Sequence, residues 1–320
     1  RAGEDEFWAQ TWDEPEDDFG LFAESAPGRL APVLRSKALV NERSGDVVSI
    51  VGAGYQLLHN RTALELGVRG CVATFPETSP AAWRVTRVDA PTTGAYCVLD
   101  LRYRPEAKPL VYDWGFPRGH IERYEPFFQV INGYNGRLAF SLRFGVIRWI
   151  CENGLIGRES VRLTNVAHDH KDMVASIETA IRAADFSRQA YRMKAQLGRL
   201  WQVSVPREQF APVIHAVLGI RRPKRMDEKA HRAWGKLQRV VTVKSDRYVA
   251  ELGSTAYALM ASLTDLATRP PGGRPFLFRR CHSLQQRAGL WMSDFVRKAD
   301  EPGFDLAEYF QELSANGRLG

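Results

Sequence analysis

Cysteine is scarce in this chain and poorly placed for cross-linking. The four cysteines, Cys71, Cys97, Cys151 and Cys281, lie far apart and form no CxxC pair. That spacing argues against a disulfide framework and a thiolate zinc site, and it predicts a reducing, cytoplasmic compartment. No apolar run approaches the roughly 18 residues needed to cross a bilayer, so no membrane partner is expected. The segment RAGEDEFWAQTWDEPEDDFG lacks the basic and apolar regions of a secretory leader. The glycines of VGAGY (Val51–Tyr55) come without the lysine of a phosphate loop or the third glycine of a dinucleotide fold. They read as turn glycines, and no nucleotide cofactor is expected. No internal repeat is visible.

What the chain does have is charge, unevenly spread. The formal net charge is +7. Residues 1–30 carry nine acids against Arg1 and Arg29, whereas residues 171–250 carry 17 Lys/Arg against 7 Asp/Glu. An acidic arm beside a basic body predicts a surface for a polyanion, with an arm able to compete for it. Phe7, Trp8, Trp12 and Phe19 would dock that arm. A solvated basic surface beside a disordered tail is the competing reading.

Beyond the arm, the hydrophobic period changes once. Residues 31–168 read as strands. Val47–Val51 is β-branched, Trp83 and Val85 alternate with Arg84 and Thr86, and AYCVLDLRY alternates likewise. RTALELGV reads as a short helix. Residues 104–127 hold four prolines and look irregular, as a functional loop would. GYNG at 133–136 signals a hairpin turn. After it, Leu138, Phe140, Leu142 and Phe144 fall on one face and Arg137, Ala139, Ser141 and Arg143 on the other. Past Gly145 the parity reverses. A bulge there would bury Ile147, Trp149 and Cys151 and return Arg148 to the exposed face of Arg137 and Arg143.

From residue 169 onward the period is helical. Met173, Ile177, Ala180, Ile181 and Ala184 make an apolar stripe, and Arg188, Arg192 and Arg199 a basic one. Further helices are expected in REQFAPVIHAVL, after the basic link GIRRPKR (219–225), through ELGSTAYALMASLTDLA, and around Leu284–Phe295. The expected fold is α+β: a β-rich half with a twisted, mainly antiparallel sheet, then an α-helical half. The expected division is an acidic arm (1–30), a β-rich domain (31–168) and a helical region (169–320).

Candidate binding residues follow from this layout. Arg137, Arg143 and Arg148 on a sheet face, with Arg188, Arg192 and Arg199 on a helix, would grip phosphates bidentately. In the proline-rich stretch Arg118 lies beside Trp114, an aromatic suited to stacking an unpaired base. The alternative is that the aromatics are core and the arginines pair with acids. His168-Asp169-His170 offers metal-type spacing without a third ligand, so Asp169 or His170 is expected instead to cap a helix beginning near Lys171. Cys151 with His168 would make a thiol and its base, but the strand parity buries Cys151. No catalytic residue and no metal site are expected.

The segments VGAGYQLLHN (51–60), FFQVINGYNG (127–136), VIRWICENGL (146–155), His168 before a long helix, and STAYALMASLTDLA (254–267) carry a resemblance. In order and spacing they resemble the phage- and plasmid-associated family known as domain of unknown function 932. The resemblance implies residence on mobile elements and a part in their DNA metabolism, and it implies no reaction. The expectation is a cytoplasmic, non-enzymatic protein that binds single-stranded or unpaired DNA as a recombination or replication accessory. Arginines on an open sheet would equally suit the rim of a homo-oligomer interface. The alternatives are an enzyme acting on nucleic acid through His168, and a defence-evasion factor whose acidic arm imitates DNA.

Overall fold

The computed structural model describes residues 15–26, 29–41, 45–91, 94–105, 109–134, 139–149, 153–156, 172–222, 227–270 and 281–316. Strands β1 (Pro15–Ala26), β2 (Arg29–Asn41) and β3 (Val47–Gly52) form an antiparallel sheet in that order. The acidic segment is therefore a strand from Pro15 onward. Its lack of a period has a physical cause. The β1–β2 register shifts between Asp17 and Phe19, Gly20 and Phe22, and Glu24 and Ala26. Each shift interrupts the regular pairing of the two strands.

The chain folds into two compact units, one of residues 1–109, 127–143 and 160–186, the other of 110–126, 144–159 and 187–320. Neither is a continuous stretch, because the chain changes unit within β7 (Ile121–Gly133) and β8 (Ser141–Arg148).

In the first unit, β4 (Trp83–Asp89), β5 (Tyr96–Tyr103) and the second half of β7 pair antiparallel, with Asp100 opposite Gln129 and Leu101 opposite Phe128. Helix α1 (Asn60–Thr74) lies on one face of this ladder. Its backbone comes close because two glycines face the strands. A Cβ on Gly67 would stand 2.4 Å from Val130 Cγ2, and one on Gly70 would stand 2.3 Å from Leu142 Cδ2. The same glycines weaken the helical signal, which is why α1 is longer than the sequence suggests. Helix α2 (Met173–Ala183) packs on α1 through the expected stripe of Met173, Ile177 and Ile181. Its cap is Asp172, which accepts from Ala175 N at 3.2 Å. It is not Asp169 or His170, which lie with His168 outside the described residues. Phe75, Trp83, Phe128 and Phe186 fill this unit's interior with stacked and edge-on rings.

In the second unit, β6 (Tyr112–Gly115) pairs with the first half of β7, and the end of β8 pairs with β9 (Asn153–Ile156). The stretch expected to be an irregular loop thus contains β6 and the start of β7. A strand of four residues is too short for its alternation to be read. The helices here are α3 (Phe186–Gln202, entering from the first unit), α4 (Phe210–Leu218), α5 (Glu228–Leu252), α6 (Ala256–Thr268), α7 (Cys281–Ala299) and α8 (Leu306–Asn316). The segment ELGSTAYALMASLTDLA is divided rather than continuous. Gly253, at φ 74°, ends α5, and Thr255 begins α6 by accepting from Ala258 N at 3.1 Å. Helix α6 is buried from Ala256 to Ala267 and packs against α5, α7 and β9. An apolar surface on every side demands such a central position. With its described strands all before residue 157 and its helices mostly after 172, the fold is α+β.

Candidate functional site

The second unit contains a buried ionic cluster built on β7 and β8. Arg148 is 4% exposed and Glu122 is 1% exposed. Arg148 Nε donates to Glu122 Oε2 at 2.8 Å, and its Nη2 donates to Glu122 Oε1 and Glu251 Oε1, each at 2.5 Å. His120 Nε2 lies 2.6 Å from the same Glu122 Oε1. Beside them the hydroxyls of Tyr124 and Tyr257 share a hydrogen bond. Trp201 of α3 stacks on Tyr257 at 4.5 Å between centroids and tilts over His120 at 4.7 Å.

Burial pushes the Glu122 carboxyl up. The hydrogen bonds and charges of Arg148 and His120 outweigh that effect and hold it below the ordinary carboxylate value. Burial likewise disfavours the Arg148 cation, yet its hydrogen bond to Glu122 carries its pKa above the usual arginine value. The Tyr257 phenol is raised, first by burial and then by Tyr124 and Glu122. Chemically this is a closed set. The guanidinium is answered by two carboxylates, so Arg148 is spoken for by the fold.

An accessible feature of this unit is a groove of about 630 Å³ along α3. Tyr191, Lys194, Arg199, Phe116, Pro117 and Asp300 are among the residues that line it. Tyr191 is 76% exposed. Arg199 is pinned: Nε donates to Asp300 Oδ1 at 2.7 Å, Nη2 to Ala299 O at 3.0 Å and Nη1 to Gln202 Oε1 at 3.1 Å. Among the described residues Lys194 forms no ion pair.

Helix α5 adds a basic face. Lys229, Arg232, Lys236, Arg239 and Arg247 are exposed and recur at helical spacing. Arg232 reaches Glu228 at 3.4 Å and Arg247 lies over the Tyr248 ring at 5.6 Å. Among the described residues Lys236 and Arg239 have no ion-pair partner.

The expected binding residues divide sharply. Arg137 and the side chain of Arg118 lie outside the described residues, as does Cys151. Arg188 and Arg192 are exposed on α3, and Arg199 is half-buried in the groove. The sheet reading fails for the rest. All eight positions of β8 are buried, so the strand has no solvent face. The β8–β9 register runs from Gly145 to Arg148 without a shift, so the bulge inferred at Gly145 is absent from that ladder. Arg143 and Arg148 therefore take opposite faces. Trp149, expected inside, is 43% exposed. Trp114 is buried between Tyr112 and Tyr124, at centroid distances of 5.4 and 4.7 Å, and offers no face to a base. The residues that sequence reasoning missed are Tyr191, Lys194, Lys236 and Arg239. Their signal was the basic excess of residues 171–250 and the GIRRPKR link.

Among the described residues no helix is long and apolar enough to cross a membrane, and no group of three His, Cys, Asp or Glu could hold a metal ion. The α+β architecture, with its buried ionic cluster on β7 and β8, defines the class of protein. A family model described as a domain of unknown function (DUF932) matches residues 117–288, from just after β6 into the first half of α7. That is more than half of the chain, and the chain belongs to this family. No curated protein and no solved structure matches it.

Proposed function

We propose that the protein binds single-stranded or unpaired nucleic acid through exposed helical cations of the second unit, as an accessory to DNA metabolism on a mobile element. The observation that carries this reading is the outer face of α5, where Lys236 and Arg239 stand in solvent with no carboxylate partner among the described residues. Cations of that kind gain by displacing counterions from a phosphate backbone. The exposed ring of Tyr191, with Lys194 on the same groove, adds a surface on which a base can stack. Arg188 and Arg192 extend the basic surface along α3. In this reading Arg148 and Trp114 have no direct role in binding. The protein acts by holding a strand, not by catalysis, and its native compartment is the cytoplasm.

Fluorescence anisotropy of a labelled single-stranded oligonucleotide, titrated across salt, tests the proposal. Wild type should bind with a steep salt dependence. The variant K236E/R239E should lower the log–log salt slope by roughly 1.4, since each lost contact to a single strand contributes about 0.7. Binding no better than to a neutral polymer, or an unchanged slope in the variant, would overturn it.

A further inference from the structure

The sheet of β1, β2 and β3 has two edges, and they differ in how they are protected. An edge strand presents unpaired N–H and C=O groups, which proteins blunt with charge, proline or bulges. β1 has all three. Its sequence holds Pro15, Glu16, Asp17, Asp18 and Glu24, and its pairing with β2 shifts register three times. The outer edge of β3 is open. Its six residues, VVSIVG, hold no charge and no proline, and among the described residues no strand pairs with that edge.

Two apolar side chains stand in solvent on that strand. Val47 is 60% exposed and Ile50 is 62% exposed. Residues three apart on a regular strand point to opposite faces, yet these two share one. Ile50 pairs with Ala38 and Val47 with Val40, and Ala38 and Val40 are two apart on β2. The cause is the register shift between Leu39 and Val40, which leaves Val48 as an extra residue on β3. On the other face Leu39 and Val51 pack with Tyr55 and Tyr134, and Val48 lies against them. The face of Val47 and Ile50 is the one this core does not use.

We propose that β3 is an interface strand, to which a second copy of this chain adds its own β3, antiparallel, across a two-fold axis. The spacing of the apolar pair selects that occupant. A regular strand places residues three apart on opposite faces, so it matches Val47 or Ile50 but not both. A second β3 brings the same three-residue step. With Val47 of each copy opposite Ile50 of the other, two residues lie between the pairs on both strands, and four apolar side chains meet on one face. Neither strand brings a charge to the contact. The protected β1 edges end the joined sheet on both sides, so the pairing closes at two copies instead of growing into a fibre. This surface shares no residue with the helical cations and does not depend on them.

The test is the mass of the full chain in solution, by sedimentation equilibrium over a range of concentrations. One strand pair is a small interface, so dissociation in the micromolar range is expected. The wild-type mass should rise with concentration from 36.1 kDa to twice that value. V47K/I50K sets like charges opposite one another and should weaken association about 100-fold or more. Both residues are exposed, so the thermal midpoint of the diluted variant should match that of wild type. Mixing V47C with I50C under oxidation should give a disulfide-linked dimer that neither variant gives alone, because only the mixed pair sets the two cysteines opposite each other. Should V47K/I50K fail to fold, this cross-link decides instead. A wild-type chain that stays monomeric throughout the micromolar range, a mass that climbs past two copies, a dimer left intact by V47K/I50K, or a mixture that cross-links no more than wild type would overturn the proposal.

Discussion

Arg143 and Arg148 stand on the same strand, each less than a tenth exposed, and their surroundings treat them in opposite ways. Arg148 meets Glu122 twice and Glu251 once, with His120 on the far side of Glu122. Arg143 meets no carboxylate among the described residues, and its Nε and Nη1 are buried without a hydrogen-bond partner there. The difference teaches that a buried arginine is not by itself evidence of an ion pair. At one end of β8 the partner strand supplies an acid, and the cation becomes part of the fold. Nearer its start, among the described residues, no acid answers the cation.

The largest expected effect comes from removing the acid. E122A would leave Arg148 buried with both of its hydrogen bonds to Glu122 gone, at a cost of about 3–5 kcal/mol in urea unfolding. The sign with pH follows from the depressed Glu122 pKa. Its contribution is present above the ordinary carboxyl value of 4.5 and is lost as pH falls through the lower folded value. The stability gap between wild type and E122Q should therefore narrow steadily below pH 4.5, and a constant gap would detach Glu122 from Arg148. A smaller effect sharpens the other side of the comparison. Arg143 faces away from α1 only if Leu142 lies beneath Gly70. G70A should then cost about 1–3 kcal/mol by pressing its Cβ into Leu142. A neutral G70A would return Arg143 to the α1 face.

Much of the architecture was legible in the sequence, and the reasons are specific. The β4–β5 pair and the apolar stripe of α2 carry local periods that the sequence shows. The change from strands to helices is visible for the same reason. The proline-rich stretch was misread because β6 is four residues long and its aromatics pack inward, beyond what alternation can report. The candidate site was half legible. Charge counting located the basic surface within residues 171–250, and helical spacing found Arg188, Arg192 and Arg199. The sheet arginines were misplaced because alternation separates two faces without saying whether either is wet. Tertiary packing covers both faces of β8, and the carboxylate that answers Arg148 lies 26 residues away along the chain on β7. Nothing in a local pattern announces that partner.

The central claim is that two arginines of one strand have opposite standing, one answered by carboxylates and one with none among the described residues. Urea unfolding of R148M and R143M, measured side by side in chloride buffer at pH 7, tests it most directly. R148M should lose about 3–5 kcal/mol, because Glu122 is left buried with only His120 to answer it, while R143M should match or exceed wild type. Equal losses in the two variants would contradict the account and place a partner beside Arg143.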